Sequence, residues 1–265
     1  MKKLKNYNTW QSVLKYSASV LLWILIWLLI ALKLDSELLL PSPGSVFKRL
    51  CELLMEKDFY IIALTSLARI IVGITVGIGA GIFFAVLTTA LPPFEAILRP
   101  IFSIIKATPV ASFIMLALLW INNSLLPSFI TLLIVFPVAW ANTSEGIRNT
   151  PKDLLEISSV YKIGITGKLL HVYLPSLLPF FVSTAKSALG LAWKAGIAAE
   201  VLAVPQTAIG SKIYSSKVFL ETTDLFVWTL VTIILSIIME SVANALLSRL
   251  ESIYSIKSRE AGNGN

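Results

Sequence analysis

Residues Ala107–Ser144 read ATPVASFIMLALLWINNSLLPSFITLLIVFPVAWANTS, 38 positions without an Asp, Glu, Lys or Arg. A helix needs about 20 apolar residues to cross a bilayer. This run is long enough for two crossings, with the polar turn Asn122–Ser124 between them. The rest of the chain agrees. Hydrophobic residues make up 56%, charged residues 14%, and mean hydropathy is +0.82. An ordinary soluble domain carries about 25% charged residues, and a soluble fold this apolar could not cover its own surface. The fold class is therefore an all-α membrane protein.

Six apolar runs mark spans: about 16–32, 67–90, 108–121, 126–141, 177–203 and 225–247. The first follows a basic stretch but is 17 uncharged residues long and lacks a small-residue cleavage site. That favours a retained span over a signal peptide. Even parity puts both termini on one side. Lys and Arg number thirteen on that side and six on the other, counting loops and termini. The positive-inside rule then places both termini of this multi-pass protein in the cytoplasm. The same placement of positive charge between apolar runs accounts for the net +7 without nucleic acid. The reading is one transmembrane domain over 1–265, with its core at about 60–250, a cytoplasmic N-terminus at 1–15 and a flexible cytoplasmic tail at 254–265. Cys51 and His171 are the only residues of their kinds, so neither an internal disulfide nor a His-based metal site can form. In the first external loop, a short amphipathic helix from Ser45 groups Val46, Leu50, Leu53 and Leu54.

Within the spans three features stand out. Gly73, Gly77 and Gly81 recur every four residues, a small-residue face for close helix packing or for lining a pore. The fifth span carries Lys186, Lys194 and Glu200 among Ala, Ser and Gly. Charges at that depth cost a few kcal/mol each when exposed to lipid. The span must face other helices or a water-filled path, and these three residues are the candidates for a translocation path. The two lysines, eight residues apart, lie about 80° apart around the helix. Glu240 in the last span is similarly placed, and Arg69 reads as an interfacial anchor.

Chemistry-bearing motifs are missing. Gly167–Lys168 is followed by Leu169 where a phosphate loop needs Ser or Thr, and Lys162 stands at its first glycine. There is no H-E-x-x-H, C-x-x-C or G-x-S-x-G. No catalytic residue, metal or cofactor is indicated, and the chain is not read as an enzyme.

Between the fourth and fifth spans lies DLLEISSVYKIGITGKLLHVYLP, Asp153–Pro175. Thr150, Pro151 and Asp153 carry helix-start chemistry, predicting a cap at Thr150. Leu154, Ile157, Ser158 and Tyr161 share a face. Gly164 and Gly167 break the helix, and Thr166 caps a second short one that Pro175 ends. Such a cytoplasmic helix–turn–helix suits a protein partner. The segment resembles the cytoplasmic loop of ATP-binding-cassette (ABC) importer permeases, which runs Glu-Ala-Ala, three residues, Gly, then about nine residues to hydrophobic-x-Leu-Pro. Glu156 matches the Glu, and Ile157 and Ser158 replace the alanines. Lys162 stands at the glycine, with Gly164 two residues on, and Val172, Leu174 and Pro175 match the end. "LPSPGSVF", "SLARIIVGITVG", "ATPVASFIMLALLW" and "LGLAWKAGIAAEVL" resemble the nitrate, sulfonate, taurine and bicarbonate branch, which includes thiamine-precursor permeases.

The resemblance implies a type I ABC importer permease fold in a bacterial inner (plasma) membrane and a path shared by two permease chains, usually identical. It also implies separate ATP-binding-cassette ATPase subunits gripping the loop around Glu156, and an external substrate-binding protein. The solute would be a sulfonate-, taurine- or nitrate-like anion or a thiamine-precursor pyrimidine. A self-sufficient secondary transporter or channel, using Glu200 and Glu240, is the alternative.

Overall fold

The computed structural model describes residues 3–262, and among them every regular element is helical. In order these are α1 (Lys3–Leu34), α2 (Pro43–Leu53), α3 (Lys57–Ala90), α4 (Pro92–Ala107), α5 (Val110–Ala117), α6 (Leu126–Arg148), α7 (Lys152–Val160) and α8 (Ile165–Lys168). A π-helical turn (Leu169–Tyr173) follows, then α9 (Leu174–Ala203), α10 (Ile209–Val218) and α11 (Thr222–Gly262). α11 thus carries helical backbone into most of the tail read as flexible, while Asn263–Asn265, like Met1 and Lys2, lie outside the described residues.

Contacts divide the chain into two compact units. The first is Met1–Ile61 with Lys212–Val231. Its α2 starts as the sequence dictates: Ser42 caps it, accepting from Ser45 N–H at 3.1 Å, and Pro43 fills the first turn, where no backbone donor is needed. Val46 and Leu53 are buried, whereas Leu54 is exposed. Arg49 grips Asp224 with two hydrogen bonds, Nε to Oδ1 at 2.7 Å and Nη2 to Oδ2 at 3.0 Å. That hydrogen bonding holds the guanidinium above its ordinary pKa. Trp27 stacks on Phe226 at 5.7 Å and donates Nε1–H to Pro41 O at 3.0 Å.

The second unit is Ile62–Ser211 with Thr232–Asn265. Its centre is α6 against α9. Asn142 Nδ2 donates to Thr184 Oγ1 at 2.9 Å, while Ile130 clusters with Ala195 and Ala199. Rising numbers on one helix meet falling numbers on the other, so the two are antiparallel. α3 lies against α6 through its glycine face. A methyl on Gly73 would strike Ser128 O and, at 2.7 Å, Thr131 Cβ. One on Gly77 would meet Val135 Cβ at 3.0 Å, and one on Gly81 would run into Ala139. Numbers rise together here, so α3 and α6 run parallel.

Parallel neighbours require the chain to return across the bundle between them. The expected loop after the second span is not a loop. It is α4, which is bent by 106° relative to α5 at a break after Ala107. α4 follows the Arg148 half of α6, where Glu95 pairs with Arg148 and Phe102 packs on Trp140 at 4.3 Å. α5 packs at the Leu126 end, with Ile114 and Ala117 beside Leu126 and Ile130. The third crossing therefore begins near Pro92 rather than at Thr108. The bend has a local cause: Thr108 precedes Pro109, which forces it into extended backbone, φ −78° and ψ 129°. Five further helices, α1, α3, α6, α9 and α11, are long and apolar enough to span, which makes six crossings with the bent pair counted as one.

Candidate functional site

α9 presents two faces. Its covered side holds Ala188, Ala192, Trp193, Gly196, Ala199 and Glu200. Past Leu174, Pro175 and Pro179 near its start, its exposed positions are Ser183, Lys186, Ser187, Leu191, Lys194 and Ala198, which follow one another around one side at helical spacing and so form one stripe. These six positions are exposed, and two of them are cationic.

The sequence groups Lys186, Lys194 and Glu200 together, and the structure separates them. Glu200 is fully buried. Its Oε2 accepts from Ser66 Oγ–H at 2.8 Å and from Gly210 N–H at 3.1 Å. Ser66 Oγ in turn accepts from Ile209 N–H at 2.9 Å. Oε1 has no hydrogen-bond donor but lies 3.7 Å from Arg69 Nη1. Arg69 is therefore not an interfacial anchor. It turns inward, with 17% side-chain exposure, and donates to Thr207 O at 2.6 Å. The reason is electrostatic: a carboxylate in a dry bundle draws the nearest cation and every available donor. Nothing in the sequence joins Ser66 and Arg69 to a residue some 130 positions on; only packing does. Glu240 is half-buried on α11, with Ser236 Oγ 3.4 Å from its Oε1.

The polar segment after α6 forms a knob. Thr150 does not cap α7, because its hydroxyl donates back to Gly146 O at 3.3 Å. Pro151 takes the cap position, and Asp153 lies in the first turn. Glu156 and Ile157 are exposed, with Leu154, Val160 and Tyr161 making the outward face apolar. Ser158 is 1% exposed and donates to Leu155 O at 2.7 Å, so it belongs to the inner face rather than the outer. Gly164 sits in the turn. Beyond it, helix continues from Ile165 through the π turn into α9 without a stop at Pro175. The π turn shifts the hydrogen-bond ladder, with Leu174 N–H reaching Leu169 O, and this accommodates a residue that has no donor. Leu174 and Pro175 are exposed at the base of α9, and the fifth span is longer than expected, Thr166–Ala203.

Residues 73–252, from the glycine face through the knob and the stripe to α11, match the family described as binding-protein-dependent transport system inner membrane component. The chain belongs to that family. It is thus an ABC transport permease, an all-helical, multi-pass membrane protein. Among curated relatives, the bicarbonate transport system permease protein CmpB of Synechococcus elongatus is 27% identical over 190 residues, 67% of this permease and 68% of that one. A Bacillus subtilis permease named for aliphatic sulfonate transport, SsuC, is 23% identical over 248 residues, 93% of this chain and 88% of its own. The nitrate import permease protein NrtB of Leptolyngbya laminosa is 31% identical over 140 residues, 52% and 50% of the two chains.

Where the loop pattern of such permeases has glycine, this permease has Lys162, and its φ is +48°. Lys162 N–H bonds to Ser159 O at 3.1 Å and Ile163 N–H to Ser158 O at 2.9 Å. That is a Schellman ending, which needs a left-handed residue at this position. The backbone keeps a glycine-like turn with a lysine in it.

Proposed function

We propose that this permease forms the path for a small anion of the bicarbonate, nitrate or sulfonate type, delivered by an external binding protein and driven by separate ATPase subunits. The observation that carries this reading is the exposed α9 stripe with Lys186 and Lys194. Two cations along one side of a membrane helix are not a lipid-facing surface. A second permease chain, most simply an identical one, closes the stripe into a polar conduit. The relatives named above are named for anions, which suits the charge of the stripe.

The knob supplies the coupling. Val160 and Tyr161 are 78% and 77% exposed, and Asp153, Glu156 and Lys162 are exposed charged residues around them. An exposed apolar patch flanked by charges fits a groove on a cytoplasmic ATPase. Rigid continuity from α8 through the π turn into α9 carries a push on the knob to the stripe-bearing helix. Both termini and the knob are then cytoplasmic.

The test is ATP-dependent uptake of labelled bicarbonate, nitrate and an alkyl sulfonate in vesicles. With Lys194→Ala, uptake of the transported anion falls at least about tenfold, equivalent to about 1.4 kcal/mol, while Lys194→Arg retains most of it. Normal uptake by Lys194→Ala would remove Lys194 from the path.

A further inference from the structure

The first N–H groups of a helix have no partner within it. In α10 the donors of Ile209 and Gly210 are met from other helices, by Ser66 Oγ of α3 and by Glu200 Oε2 of α9. Ser66 also donates to Glu200, so the three groups close a triangle that is sealed from solvent. Gly210 is pressed so closely on α9 that a methyl there would lie 2.5 Å from Val201 N. The turn leading into α10 is tied down at three carbonyls. Asn123 Nδ2 donates to Ala203 O at 2.7 Å, Arg69 Nη1 to Thr207 O at 2.6 Å and Ser211 Oγ to Pro205 O. At its start stands Val204 with φ +48° and ψ 55°, a left-handed conformation that a β-branched residue adopts only under constraint.

We infer that Glu200 and Ser66 are positioning residues: they cap α10 from α9 and α3, and so hold the strained Val204–Ala208 turn and the end of α9 as one block. Glu200 lies six residues beyond Lys194 on the same helix, and fixing its carboxylate fixes how α9 is rotated about its own axis. The effect on transport rests on the path reading given above. The cap itself does not, so the two can fail separately.

The experiment uses a cysteine at Ala208, which is 1% exposed, in a chain whose own Cys51 is replaced by Ser. The full transporter is kept in membrane fragments open to reagent on both faces, which removes any dependence on orientation. The rate of maleimide labelling reads the turn. Glu200→Ala raises it at least about tenfold, and Ser66→Ala raises it several-fold, roughly the loss of one buried acceptor. Glu200→Gln, whose amide oxygen still accepts from Ser66 and Gly210, stays within about threefold of the parent. Parental labelling in Glu200→Ala, or in Ser66→Ala should Glu200→Ala fail to reach the membrane, overturns the cap. Labelling of Glu200→Gln as fast as Glu200→Ala overturns it too, because charge pairing with Arg69 would then be what holds the turn. In uptake, the cap predicts that Glu200→Gln rescues what Glu200→Ala loses; a solute-contacting carboxylate would not be rescued.

Discussion

Lys162 holds a left-handed backbone with a side chain that opposes it. Glycine has no such penalty, and relief of the strain is worth about 0.5–1 kcal/mol. Lys162→Gly is expected to tighten the end of α7, slowing hydrogen exchange at the Ile163 amide about two- to fivefold. Faster exchange would mean that the lysine side chain, rather than the turn, secures this corner. The departure from the family pattern at Lys162 is legible in the sequence; that the backbone keeps the turn despite it is not, because φ is set by the Ser158 and Ser159 carbonyls. Glu200 shows the same limit. Its place in an apolar span is plain from the sequence, but a helix has two sides, and only its neighbours at Ser66 and Gly210 decide which one it faces.

At the scale of elements, the four-residue spacing of Gly73, Gly77 and Gly81 announces a close contact, and α6 proves to be the partner. A bulky residue at Gly81 would meet Ala139 and Trp140 N, the latter 2.9 Å from a methyl. Overpacking of this sort costs about 1–3 kcal/mol. Gly81→Leu should lower the thermal midpoint of the detergent-extracted chain. Gly79→Ala should not, since nothing lies within 4 Å of the added methyl, and helix propensity favours it by up to about 1 kcal/mol. Equal destabilisation by both would place the glycine face elsewhere. The spans themselves are legible because twenty apolar residues have few other uses. α4 is the exception. Glu95, Arg99 and Lys106 break its hydropathy, yet Leu98 and Phe102 pack inward and Glu95 answers Arg148 and Arg99 in ion pairs. Mean hydropathy cannot distinguish such a helix from a polar loop. Likewise Pro175 reads as a stop, and the π turn before it makes it passable.

For the whole molecule, the proposed function makes the missing phosphate loop and the exposed knob two sides of one division of labour. On that proposal the permease moves the solute and another polypeptide hydrolyses ATP. Glu156 stands at the centre of the proposed contact, exposed beside Ile157 and Val160. Glu156→Lys should leave the chain in the membrane while ATP hydrolysis and uptake become uncoupled, with uptake falling at least about tenfold as a charge-assisted contact turns repulsive. Unchanged uptake would move the coupling contact off Glu156. The most direct test of the account is to tag the chain, extract it gently from its native membrane and identify what accompanies it by mass spectrometry. The account predicts an ATPase subunit bearing a phosphate loop, present about one to one with the permease. A chain that emerges alone and moves solute into vesicles without ATP would contradict it.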